Sequence, residues 1–234
     1  MNSTNTTGFY HPQYEEYYNQ WVKLTDIQGG EDKIKYRNEY YLPMTPGMSR
    51  DYEDSATRKL AEQRYARYLF GAIFYNYFID TALAMNVLMH SNPPDKIRLP
   101  ESLKYLKSTI TPHGDDINGL LSDLNFQQLV KGRVGILLDI TDDGFSALQY
   151  NTINIINWDG VYKGGKYVLQ YVLLREPSLV REGFRFIEVD RYRILALDEN
   201  GDYYTATVDE NQLADFDLLQ PPDYVVYPQV RGVV

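Results

Sequence analysis

Cysteine is absent from the chain. No disulfide framework can staple it, and no thiolate can act as nucleophile or metal ligand. That fits a reducing cytoplasm. Histidine is scarce: His11, His90 and His113 lie far apart, and none belongs to an HExxH-type pair. No metal site and no cofactor are expected. Basic charge is in deficit, with 23 Lys and Arg against 32 Asp and Glu and a formal charge of −9. This excludes a compact basic footprint for nucleic acid, although an acidic protein can surround DNA without adhering to its phosphates. Internal repeats and low-complexity tracts are missing. The polar start MNSTNTTGFY lacks the basic and apolar regions of a secretory signal. The most apolar stretch, 69–89, contains Asn76, Asp80 and Asn86. A single Asp at mid-bilayer costs about 2.5–3.5 kcal/mol, so the stretch reads as a buried helix and no membrane partner is expected.

What is present is enough for a core: 234 residues, 44% of them apolar. Tyrosine is abundant, with 22 residues; its apolar body and polar tip suit both cores and subunit contacts. Periodicity divides the chain into three parts. Residues 1–50 read as a disordered arm (1–13), a short helix over Tyr14–Asp26 and a surface loop over 27–50, rich in Gly and Pro. Tyr14, Tyr17, Tyr18 and Trp21 share one face of that helix, either packed on their own subunit or offered to a neighbour. Residues 51–131 read as helical. A helix starts near Ser49 or Asp51, where Asp51, Glu53 and Asp54 favour a positive N-terminal end, and breaks at Gly71 or Tyr75–Tyr77. Asn92-Pro93-Pro94 ends that element. A short helix follows IRLP, Thr111–Gly114 turns, and Asp115–Lys131 is a helix capped by Gly132.

From 132 to 234 the period falls to two. Val134–Ile140 reads as a strand buried on both faces. Thr141–Gly144 turns into a second strand, Ser146–Tyr150. Lys166–Arg175 and Phe184–Leu197 are long strands, and Asn200-Gly201 signals a tight hairpin before Tyr203–Val208. Pro221-Pro222 interrupts, and the chain stops at Val234 without a closing element, as a truncated chain would. The expected class is α+β, with helices packed on an antiparallel sheet.

No motif carries chemistry. GVYKGGK (160–166) has phosphate-loop spacing, but Tyr167 stands where Ser or Thr must hold Mg²⁺, and a strand follows where a helix must start. It reads as a hairpin turn. DITDDG (139–144) lacks the bidentate Glu of a calcium loop, since the twelfth position is Tyr150. Asp115-Asp116 suits a helix N-terminus. No spacing selects a catalytic pair from the carboxylates.

Several segments, in order, resemble one family. YLPMTPGMSRDYEDSATRKLAEQRYARYLFGAIFYN is similar to its Tyr-Leu-Pro lead and following helix. LVKGRVGILLDI is similar to its Gly-Arg-x-Gly-hydrophobic-Asp strand. INWDGVYKGGKYVLQYVLLRE is similar to its Ile-Ile-Asn-Trp segment and a strand ending in Arg-Glu. VDRYRILALDENGDYY is similar to its Gln-Tyr-Arg-x-Leu-x-Leu strand and hairpin. The chain thus resembles portal (head-to-tail connector) proteins of tailed bacteriophages from about Tyr40 to Val208. Residues 69–96 are richer in Tyr and Phe than that pattern, and Gln149–Thr152 replaces its usual step before INW.

The resemblance implies a homo-oligomeric ring, usually of twelve subunits, at one capsid vertex of the virion, assembled in the host cytoplasm. Its partners would be the terminase large subunit, the head-tail adaptor, the major capsid protein and double-stranded DNA threading the channel without sequence readout. It implies no enzymatic activity. It also places the channel-lining helices beyond residue 234, leaving here the outer wing-like half. On this reading the subunit interface draws on Tyr14, Tyr17, Tyr18 and Trp21, and on the charges Arg58, Glu62, Arg64 and Arg67. A carboxylate- or metal-dependent phage hydrolase and a smaller head-tail adaptor are the alternatives.

Overall fold

The computed structural model describes residues 9–92, 97–141, 144–219 and 225–227. Helices fill the first half: α1 (Pro12–Gln28), α2 (Gly30–Tyr36), α3 (Pro46–Glu53), α4 (Arg58–Gly71), α5 (Tyr77–Met89) and α6 (Ile117–Lys131). A 3-10 segment, Glu101–Lys107, separates the last two. Strands fill the second half: β1 (Val134–Thr141), β2 (Gly144–Asn151), β3 (Ile155–Lys163), β4 (Lys166–Glu182), β5 (Arg185–Leu197) and β6 (Tyr203–Asp209). The one-turn helix α7 (Glu210–Leu213) leads towards β7 (Val225–Tyr227). The class is α+β, and the change from helix to strand falls at Gly132.

Local chemistry accounts for the helix ends. The His11 ring accepts the Gln13 N–H at the start of α1, and Pro12 occupies the first turn, where no N–H is needed. Thr45 and Pro46 do the same for α3. Asp116 accepts the Gly119 N–H at 2.7 Å to begin α6, and Gly132 ends it with φ 75°. Four expectations fail in this half. Residues 9–13 are not a free arm: the His11 N–H donates to the Ile156 carbonyl at 3.0 Å, and the ring stacks on Trp158. The segment 27–50 is not a loop but holds α2, a 3-10 turn at Asn38–Tyr40 and the start of α3. The expected helix start near Asp51 lies inside α3, whose cap is Thr45, so Asp51 and Glu53 sit at its C-terminal end and Asp54 is its C-terminal cap. The break expected at Gly71 or Tyr75–Tyr77 is present, since α4 ends at Gly71 and α5 starts at Tyr77, but 69–89 is not a buried helix: α5 buries only Ala82 and Asn86. Pro93, Pro94, Asp142, Asp143, Pro221 and Pro222 lie outside the described residues.

β1 and β2 form a two-stranded antiparallel sheet, and β3 to β7 form a five-stranded antiparallel meander in sequence order. The turn at Lys163–Lys166 is a hairpin, with Tyr162 opposite Tyr167 and Lys163 opposite Lys166. β1 is not buried on both faces: one side packs on the meander and the other is open. Leu137 is buried while Ile136 and Leu138 are about half exposed, at 49% and 56%. The connection after β5 is longer than the two residues that Asn200-Gly201 suggests. Leu197 pairs with Tyr203, and the Asp198 carboxylate accepts the N–H groups of Asn200 and Asp202.

The sheets differ in reach. β3 pairs with β4 as far as Leu174, and β6 pairs with β5 only from Arg191 onwards. Beyond those points β4 and β5 continue together to the pair Glu182–Arg185. Residues 177–190 therefore form a two-stranded ribbon outside the main sheet.

Three apolar clusters hold the body. Tyr14 and Trp21 of α1 pack on Ile156, Leu173, Ile194 and Tyr204 of the meander. Leu106, Leu120, Leu124 and Ala147 join α6 to β2. Leu137, Tyr150, Leu174 and Leu195 join the two sheets.

Gly132 sits in the left-handed region, which costs an L residue about 1–2 kcal/mol. Gly132→Ala should lower the unfolding free energy by about 1 kcal/mol with an unchanged urea m-value. An unchanged midpoint would refute the cap assignment.

Candidate functional site

The motif residues that resemble the portal pattern meet in space at two places. The first is Arg133, directly after the Gly132 cap. Its guanidinium lies between the only two Trp rings of the chain, 4.5 Å from the Trp21 centroid and 4.4 Å from that of Trp158. Nη2 donates to the carbonyls of Thr152 and Ile155 at 3.1 and 3.0 Å. The Thr152 hydroxyl, fully buried, donates back to the Arg133 carbonyl. His11 stacks on the outer face of Trp158 with ring centroids 3.9 Å apart. Tyr14 donates its O–H to Ile153 at 2.9 Å. Among the described residues no carboxylate forms an ion pair with Arg133; two carbonyls and two π faces compensate its charge. Burial accordingly pulls its pKa below the usual arginine value.

The second place links four strands through charge. Arg193 of β5 meets Asp139 of β1 at 2.9 Å and Glu176 of β4 at 2.8 Å. Tyr150 of β2 donates to the same Glu176 carboxylate. Burial, then this bond and the Glu176 charge, push the Tyr150 pKa up. Arg175 and Asp190 pair at 2.6 Å across β4 and β5, at the root of the ribbon. Asp139, Glu176, Arg193 and Tyr150 thus form one framework, while Arg175 and Asp190 pair on the opposite face of β4 and β5. The first four register the hairpin on the meander, and Asp139 and Arg193 also line a small pocket with Leu137, Leu195 and Tyr203.

The residues expected at a subunit interface separate into two kinds. Tyr14 and Trp21 are 5% and 8% exposed and belong to the chain's own core, so packing on the body accounts for them. Tyr17 and Tyr18 remain about two-fifths exposed. Arg64 is occupied by Asp51 at 2.7 Å, and Arg58 donates to the Tyr52 carbonyl at 3.0 Å. Both tie α4 to α3. Glu62 and Arg67 are exposed, and Glu62 lines an open groove with Arg37, Glu39 and Tyr65.

The larger outward surface is one that sequence reasoning placed in the core. α5 turns Ala82 and Asn86 inwards, where the Asn86 amide donates to Ser122 of α6 at 3.0 Å. Leu83, Met85, Val87, Leu88 and Met89 face outwards, with Val87 and Leu88 67% and 73% exposed. The helix is amphipathic in the inverted sense. The connector before it behaves alike. Three polar bonds fasten it and its flank to α1 and α2: Lys35 donates to the Phe70 carbonyl at the end of α4, Glu31 accepts the Phe74 N–H, and the connector's own Asn76 side chain donates to the Ile27 carbonyl. Phe70, Ile73, Tyr75 and Tyr77 are left projecting. The available signal was the spacing of small and polar residues, Ala82 and Asn86, on one narrow stripe of an otherwise apolar helix.

Among the described residues, no group of three His, Asp or Glu side chains is placed to hold a metal ion. No described helix is long and apolar enough to cross a membrane. No family model matches the chain, and no curated protein matches it either.

Two outcomes follow from the arginine cluster. Lysine cannot stack or fork as guanidinium does, so Arg133→Lys should cost about 2 kcal/mol and shift the Trp emission. An unaltered denaturation midpoint would remove the sandwich from the list of stabilising contacts. The His11 pKa is held below 6.5 by burial and the Arg133 charge, against the opposing Asp159 carboxylate. The unfolded chain therefore takes up this proton first as pH falls, and the stabilisation is whole above 6.5 and lost through the lower folded value. Between about pH 7.5 and 5.5 the thermal midpoint should drop more steeply in the wild type than in His11→Gln; parallel curves would contradict this.

Proposed function

We propose that the chain is a structural subunit of a phage portal-type ring, corresponding to its outer, wing-like part, with no chemistry of its own. The observation that carries this is the inverted helix α5 with its pinned connector, an apolar surface far larger than an isolated chain leaves in water. The ordered likeness of four segments to portal proteins supplies the kind of assembly. Their charged and aromatic residues serve each other within the fold rather than a substrate, which suits a scaffold. The acidic balance of −9 suits a wall that DNA passes without adhering. In this reading the partners are like subunits, the terminase large subunit, the head-tail adaptor, the major capsid protein and double-stranded DNA, at the portal vertex of the virion.

The test is the mass and shape of the purified full-length gene product. Light scattering and negative-stain images should give a closed ring of about twelve subunits, the number usual in the family it resembles. A strictly monomeric product at every concentration, in both low and high salt, would overturn the reading. A small open oligomer that binds a ring from another source would favour the adaptor reading instead.

A further inference from the structure

The ribbon of residues 177–190 is the second outward apolar feature. Paired residues point to the same face, so Val180 and Ile187 occupy one face and Phe186 the other, beside Leu179. Phe184, in the turn, is 98% exposed, and Leu179 and Phe186 are 68% and 64% exposed. Apolar side chains thus stand on both faces and at the tip. A two-stranded ribbon is marginal in water by itself, and Leu179, Phe184, Phe186 and Ile187 of this one are exposed. Its edges are unsuited to strand addition, because Pro177 has no N–H to offer and Arg181, Glu182, Arg185 and Glu188 crowd the rest. The ribbon is built to be gripped by its side chains.

We propose that the ribbon tip of one copy docks on the outward face of α5 and its connector in the next copy, head to tail. The proposal deepens the ring reading and rests on it for closure only; the joint itself stands on the two surfaces. Both are exposed in the single chain, so they do not cover one another within it. The helix and connector expose an area on the order of 1,000 Å², where a stable interface needs about 800 Å² from each partner. An α5-to-α5 dimer would bury that face but leave Phe184 and Phe186 in water. Pairing ribbon with helix buries both. Charge agrees: Asp80 is the sole formal charge from Phe70 to Met89, whereas the tip, 181–185, carries Arg181 and Arg185 against Glu182. One net positive charge therefore meets one negative charge in a chain that otherwise repels its copies. The pinned connector adds pre-organisation, since its backbone is fixed before the partner arrives. Two different patches per subunit make the contact heterologous, the kind that propagates into rings.

The lack of Cys makes the joint directly readable. Leu88→Cys and Phe184→Cys are made separately and together in the full chain, then oxidised. Mixing the two single variants should give one mixed disulfide dimer, neither alone should give any, and the double variant should give a ladder. Dimers of Leu88→Cys alone would replace this joint with an isologous helix pair. Rings in images without the 88–184 bond would overturn the joint and leave the ring reading standing. The bond in open chains of mixed length would keep the joint and overturn closure. No bond and a monomer throughout would overturn both. Phe184→Asp is the companion variant: the ring barely touches its own chain, so the thermal midpoint of the monomer should not move. Self-association should weaken by at least about tenfold, and unaltered association would count against the joint.

Discussion

A cation held between two indole faces is the contact on which the fold turns. Arg133 leaves the end of α6 and reaches α1 through Trp21, β3 through Trp158 and the connecting turn through two carbonyls. Helical half and sheet half are otherwise joined by apolar contacts, which have no direction, and by a few single hydrogen bonds such as those of His11 and Tyr14 to the carbonyls of Ile156 and Ile153. The guanidinium adds direction. Its plane must fit two rings, and its N–H groups must fit two carbonyls, so α1 has one angle on the meander. Each cation–π contact contributes about 0.5–2 kcal/mol, a modest sum beside the apolar burial of Tyr14 and Trp21. The specificity comes from geometry more than from magnitude.

Polar contacts repeat this division of labour elsewhere. Arg193, Asp139, Glu176 and Tyr150 set the hairpin on the meander. Asp26, almost wholly buried, takes the Tyr41 hydroxyl at 2.9 Å and Arg37 at 3.0 Å, fixing α1 against the turn that follows α2. That bond, with burial as the larger cause, raises the Tyr41 pKa to about 12. In each case opposite charges pair, although the second Asp26 carboxylate oxygen has no hydrogen-bond partner among the described residues. They act as locators for elements whose stability comes from apolar packing.

The sequence discloses the order of elements well and their surroundings poorly. Gly132, the Asp116 cap, the Lys163–Lys166 hairpin and the strand runs are local signals, and each is read from a few adjacent residues. Thr45-Pro46 is as clear a helix start, but Pro43, Pro46 and Gly47 read as loop, and the acids at 51–54 place the start inside α3. α5 and β1 failed for another reason. An apolar run records that something covers it, not whether the cover is the same chain. The helix reads as core, yet its inner stripe is small and polar while its outer surface is apolar. Arg133 carries no local signal, because its partners lie in segments that no periodicity connects.

The meander and the α1 contact differ in how far along the chain their partners lie. Every strand of the five-stranded sheet pairs with its neighbour in sequence, so these contacts close short loops at small entropic cost. Tyr14 meets Ile153 across a separation of 139 residues. The α1 contact instead closes a loop of more than half the chain, so its closure entropy is the larger. The arginine between the indoles thus ties the N-terminal helix to the middle of the sequence, where helices give way to strands.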